Sequence, residues 1–149
     1  MEAIIRAKIN EIENKEHVRI LFAAEGGSRA WGLASPESDY DVRFIYVRQA
    51  KEYLRLEEFR DTIDAHQDDI LDMDGWDLRK ALRFLYRSTP EIREWFRSSI
   101  VYRETEEAKR MRALLPEYFS TKKCANHYIH MAAMNFRTYF QDDEVWLVK

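Results

Sequence analysis

The chain has 149 residues, 46% of them hydrophobic and 34% charged, which is enough for one ordinary domain with its own core and too apolar for intrinsic disorder. With 24 basic and 27 acidic residues the formal net charge is −3, which excludes a protein that coats duplex nucleic acid through bulk positive charge; any such contact has to come from a local basic surface. A single cysteine, Cys124, rules out an internal disulfide, no run approaches the ~20 apolar residues of a membrane span, and the first residues lack a signal-peptide core, so the expected setting is cytoplasmic with no membrane partner.

In chain order, Ile5, Ile9 and Ile12 mark the apolar stripe of a first helix. Val18 to Ala24 reads as a short buried strand that runs into the Gly26-Gly27 turn. Residues 29–38 suit a short helix and a loop, and Asp39 to Val47 a second strand. Residues 51–54 have weak helical spacing, and 55–67 fit a hairpin. Asp68 to Met73 predicts a third strand ending at Asp74-Gly75-Trp76-Asp77, where Asp74 can cap a helix and Asp77 can bond back to it. Leu78, Ala81, Leu82 and Leu85 give that helix its buried stripe, and Ser88-Thr89-Pro90-Glu91 starts another. A short strand over 99–102 and two further helical patterns follow, one through Ala108, Met111, Leu115 and Tyr118, the other through Ile129, Ala133, Phe136 and Phe140. The last helix also carries Cys124, Tyr128 and Met131 on a neighbouring face, and Val145 to Lys149 begins a new apolar segment, so this region calls for a further helical partner or a second subunit. The order predicts an α+β fold: a short mixed sheet flanked by helices with a helical C-terminal region.

The chemistry concentrates in Gly27-Ser28 and Asp39-Tyr40-Asp41. Glycine lets backbone N–H groups approach phosphate oxygens, the serine hydroxyl can donate to the same group, and a following helix start adds a favourable dipole. In a strand, residues two apart share a face at roughly 6.6–7 Å, so Asp39 and Asp41 point the same way and Arg43 continues the row. Two carboxylates at that spacing repel by about 2.4 kcal/mol at an effective dielectric of ~20, a cost that a divalent cation reverses. Magnesium suits such a site, with manganese as the alternative, because it combines one or two carboxylates with substrate phosphates. A third acid is needed from a neighbouring strand; Asp72, between Leu71 and Met73, is the choice, and Asp69 the nearest competitor. Asp61, Asp64 and Asp68 read as solvated loop acids.

Gly27-Ser28 followed by Asp39-Tyr40-Asp41-Val42 resembles the signature of the DNA polymerase beta-like nucleotidyltransferase superfamily. The longer matches, Gly-Ser-Arg-Ala-Trp-Gly over 27–32, Ser35-Pro36, Ser38 to Phe44 and Gly75 to Leu82, are similar to a bacterial and phage family of predicted nucleotidyltransferases associated with RNA repair. The resemblance implies a metal-dependent transfer of a nucleoside monophosphate from an NTP to an acceptor hydroxyl, with an RNA terminus as acceptor and pyrophosphate as product. It implies that Asp39, Asp41 and Asp72 hold the metals and carry catalysis, and that Gly27-Ser28 bind the phosphates, with Arg29 and Arg43 close to the triphosphate. It places the third acid before the Gly-Trp-Asp-Leu stretch, in agreement with Asp72. The expected organisation is a nucleotidyltransferase domain over 1–103 and an incomplete helical extension over 104–149, through which homo-oligomers can form.

Other residues have plainer readings. Arg79, Arg83 and Arg87, with Lys80 beside them, form a basic stripe read first as a solvated helix face and second as an RNA contact. His127 and His130 lie one turn apart without a recognisable set of partner ligands, and read as packing or surface residues. Cys124, Trp76, Tyr86, Trp95 and Phe96 read as core, and Trp31 as helix-to-sheet packing. Two rival functions use the same residues: modification of a protein or small molecule, and recognition of a nucleotide or RNA without transfer.

Overall fold

The computed structural model describes residues 1–65 and 70–140. Strands β1 (Arg19–Glu25), β2 (Tyr40–Val47), β3 (Thr62–Asp64), β4 (Leu71–Asp77) and β5 (Val101–Glu104) form one sheet in the order β3-β4-β2-β1-β5. The β1/β2, β1/β5 and β3/β4 pairs are antiparallel and β2/β4 is parallel. A parallel pair needs a long crossover rather than a hairpin, and the chain between β2 and β4 supplies it, with the one-turn helix α3 (Ala50–Tyr53) and β3 on the way. The fold is the mixed α+β arrangement expected.

Helix α1 (Glu2–Glu16) covers one face of the sheet. Ile5, Ile9 and Ile12 bury against Ile20, Val42, Phe44, Tyr46 and Met73, at about 1.5–3 kcal/mol of stabilisation per side chain. The other face is covered by α4 (Leu78–Arg87), α5 (Pro90–Arg97) and α6 (Glu106–Ala113), whose Ala81, Leu85, Ile92, Phe96 and Met111 pack on Phe22, Ala24 and Ile45. Strand β1 is therefore apolar on both faces. The predicted continuous helix is split at Leu114: Pro116, in the first turn of α7 (Leu115–Tyr118), has no N–H to donate back to α6. No helix among the described residues is long and apolar enough to cross a membrane.

Several expectations need correction. Strand β4 does not stop at Asp74: Gly75 and Trp76 stay paired with Phe44 and Ile45 of β2. The helix cap is Asp77, whose carboxylate accepts from the Arg79 N–H at 2.8 Å and from the Tyr53 hydroxyl at 2.7 Å. Asp74 thus remains a strand residue. Of the α4 stripe, Ala81 and Leu85 are buried while Leu82 is exposed. Tyr86 and Trp31 are exposed rather than packed; Trp95 and Phe96 are buried as expected.

The final helix, α8 (Thr121–Tyr139), docks on α5 and the Ser88 turn through its N-terminal half. Cys124 is buried, the Ser120 N–H donates to Ser88 Oγ at 2.8 Å, and the Tyr128 hydroxyl donates to Glu94 of α5. The predicted stripe beyond it is uncovered, with Ile129 64% and Phe136 62% exposed. Asp68, Asp69 and the 145–149 segment lie outside the described residues.

Gly75 is required by its neighbour. A β-carbon there would stand 2.0 Å from Cε2 of Phe44, whose ring is fully buried and has nowhere to retreat. Gly75→Ala is expected to lower stability by about 1–3 kcal/mol, read from the urea midpoint at unchanged m-value.

Candidate active site

The site begins where β1 ends. Glu25 terminates an apolar strand and is itself 1% exposed. One of its oxygens accepts from the Asp41 N–H at 2.9 Å and the other from the Tyr102 hydroxyl. One residue on, the Gly26 N–H donates to the Asp41 carbonyl at 2.6 Å. Both backbone groups of Asp41 are thereby tied to the turn that leaves β1.

Gly27 follows with φ +49 and opens the single helical turn α2 (Gly27–Ala30). A β-carbon at Gly27 would lie 1.9 Å from Asp41 Oδ2. The glycine is needed twice over, for a left-handed backbone and for the carboxylate lodged against it. Gly32 also has a positive φ, +69, but open space around it.

The in-register parallel pairing of β2 and β4 sets Asp41 directly beside Asp72. Their carboxylates converge on one nitrogen: Arg43 Nη2 donates to Asp41 Oδ1 at 2.8 Å and to Asp72 Oδ2 at 2.7 Å. Asp74, two residues along β4, brings Oδ2 to 3.7 Å from Arg43 Nη1. Burial raises the Asp41 carboxyl above its ordinary value; the Arg43 charge opposes this, and the charges of Asp39 and Asp72 add to it. Burial likewise raises Glu25.

The other predicted residues take different places. Asp39 lies one residue before β2, on an exposed loop, so it does not continue the strand row, although its charge is felt at Asp41. Arg29 is occupied within the same loop: its guanidinium stacks 3.8 Å from the centroid of Tyr40 and donates to the carbonyls of Ser38 and Asp39. Ser28 sits on α2, half-buried beside Gly27. Arg79, Arg83 and Arg87 are exposed along α4, and His127 and His130 are exposed on α8.

A cavity of ≈ 440 Å³ opens beside these groups. Gly26, Gly27 and Arg43 form one wall, Pro90, Glu91 and Glu94 of α5 a second, and Cys124 with Tyr128 of α8 a third. Its size falls in the range of small-molecule sites. Sequence reasoning missed Glu25 and Asp74. The signal for Glu25 was a lone acid closing a strand that is otherwise apolar from Ile20 to Ala24. Asp74 was disguised by Gly75, which reads as a turn residue until Phe44 is seen to need the space.

The raised Glu25 carboxyl has a signed consequence. It keeps its proton to higher pH in the folded chain than in the unfolded one, so its contribution to stability falls as pH rises from its ordinary value of 4.5 upward. As pH rises above 4.5, wild type is expected to lose more stability than Glu25→Gln, in which that titration is absent. Urea midpoints across the range check this; equal losses would remove burial as the cause.

The family model described as the RNA repair pathway DNA polymerase beta family, RlaP, matches residues 1–149. The chain is also 43% identical over 150 residues to a Bacillus subtilis (strain 168) protein designated "Uncharacterized protein YcgL"; the match covers 100% of this chain and 58% of that protein, so the chain spans little more than half its relative's length. No solved structure matches. With the family model matching from end to end, the chain belongs to the RNA repair pathway DNA polymerase beta family.

Proposed function

We propose that the protein is a metal-dependent nucleotidyltransferase that moves a nucleoside monophosphate from an NTP to an acceptor hydroxyl, with an RNA end as acceptor. The observation that carries this reading is the convergence of Asp41 and Asp72 on one cationic nitrogen, with the Gly27 turn packed against Asp41.

The residues fit a divalent cation. Arg43 Nη2 stands in for one, since both carboxylates already reach a single positive centre. The donors are hard oxygens, as magnesium or manganese requires. Among the described residues no three acid, histidine or cysteine side chains are gathered around one point. Asp41 and Asp72 would hold the metal, with Asp39 closing on it from the loop. When bound, the metal lowers the barrier by neutralising charge on the phosphates and on the attacking oxygen.

The protein's own residues do the rest. Gly27 and Ser28 offer backbone N–H groups and a hydroxyl to the phosphates. Arg43, released from the aspartates, already borders the cavity beside Gly26 and Gly27 and can meet the same phosphates. Asp72 accepts the proton of the acceptor hydroxyl. The hydroxyl oxygen then bonds to the α-phosphorus, the bond from that phosphorus to the bridging oxygen breaks, and pyrophosphate leaves with the electron pair. The family description points to RNA as the setting. The exposed Arg79, Arg83 and Arg87 provide a basic surface that an RNA strand could follow.

Transfer from α-labelled NTPs with magnesium tests the reading. Label on RNA is expected. Asp41→Asn and Asp72→Asn should each lower the rate by about 100-fold or more. Gly27→Ala should do the same by turning Asp41 aside, whereas Gly32→Ala should retain the rate and cost only about 1–2 kcal/mol of backbone strain. Label appearing only on protein would move the acceptor assignment, and nucleotide binding without turnover would overturn the transfer.

A further inference from the structure

The cavity beside the Gly27 turn has a far wall that the transfer chemistry does not use. Glu91 stands there, in the first turn of α5. Its Oε2 is shut off from water and has no hydrogen-bond partner, and it makes no ion pair among the described residues. A carboxylate oxygen left in that state is costly unless a donor arrives. Its neighbours are already committed. Glu94 accepts from Tyr128, Arg93 lies 5.7 Å from the Phe119 ring centroid, and Arg43 is held by the aspartates. The terminal torsion of glutamate is soft and its other torsions have alternative staggered wells, so the Glu91 side chain can turn both oxygens toward the cavity when a pair of donors arrives.

At the cavity mouth stands Trp31, 64% exposed and directly after α2. A large aromatic with most of its surface in water, on the rim of a cavity that starts at a phosphate-ready turn, is placed to stack on a planar group. A nucleotide with its phosphates at Gly27 would direct its base toward Trp31 and the α5 wall.

The geometry points to a base-reading pocket in which Trp31 stacks on the base and Glu91 accepts hydrogen bonds from it, selecting guanine nucleotides. This rests on the nucleotidyltransferase reading above. A carboxylate offers two acceptors side by side and no donor at neutral pH. Guanine places two donors next to each other on its Watson–Crick edge, the ring N1–H and the N2 amino group, and can satisfy both oxygens. Adenine and cytosine each place one amino group next to a ring-nitrogen lone pair, which a carboxylate repels. Uracil flanks its single N–H with two carbonyl oxygens, the least favourable edge of the four.

Calorimetric titration of the full chain with the non-transferable α,β-imido analogues of GTP, ATP, CTP and UTP in magnesium tests this. The guanine analogue is expected to bind about 10- to 100-fold more tightly than the uracil analogue. Glu91→Gln, which keeps the side chain's size, should bring that ratio to within about threefold. Trp31→Ala, at an exposed position that folding does not need, should weaken all four by about tenfold while leaving the ratio in place. Equal binding of the four analogues, or a Glu91→Gln variant that weakens all of them alike, would overturn the guanine pocket and leave the transfer reading intact. Failure of all four to bind, with Asp41→Asn indistinguishable from wild type, would overturn both.

Discussion

The in-register parallel pairing of β2 with β4 is the constraint on which the rest of the site depends. It sets Asp41 beside Asp72 and puts Arg43 between them and Asp74. Register in a sheet with both faces covered is strongly specified, because a slip of one residue would turn every side chain to the opposite face. Here a slip would drive Asp72 and Asp74 into the cluster around Phe44 and Met73 and expose Met73 in their place. The hydrophobic core and the placement of the carboxylates are thus one decision. Gly75 enforces it locally, since the Phe44 ring occupies the space a side chain there would need.

A second tie fixes Asp41 along the chain. Glu25 and Gly26 hold its N–H and carbonyl, and Gly27 gives its carboxylate room. The buried Glu25 accepts from the Tyr102 hydroxyl of β5 and from the Asp41 N–H, so its carboxylate adds a second link between the outer strand and the site to the backbone pairing of β1 with β5. Such a network costs stability when its acid is ionised away from water, and in return it leaves Asp41 few alternatives. Arg43 completes the electrostatics. Two neighbouring carboxylates repel, and the Arg43 guanidinium between them offsets that repulsion.

The sequence carried much of this in legible form. The α1 stripe, the buried β1, the Gly27 turn and the placement of Asp72 on the strand beside Asp41 were all legible in periodicity and spacing. What it concealed has physical reasons. Asp39 alternates correctly with Asp41, but β2 begins at Tyr40 and the loop before it is tied down by Arg29, an interaction that no strand period reveals. Asp74 looked like a cap because Gly75 usually ends strands, whereas here it serves a ring on the next strand. Trp31 looked like core because tryptophan usually is; its exposure depends on where a one-turn helix points, which composition cannot say. The apolar stripe of α8, which in sequence calls for a further partner, has no cover among the described residues.

In the proposed mechanism Asp41 and Asp72 form a cation site that Arg43 guards until metal and nucleotide arrive. Anomalous diffraction from crystals grown with manganese and a non-transferable NTP analogue tests it most directly. The expected result is a manganese peak within coordinating distance of both carboxylates, with the Arg43 guanidinium moved off them toward the phosphates. A bound nucleotide with manganese elsewhere, and Arg43 still bridging Asp41 and Asp72, would contradict it.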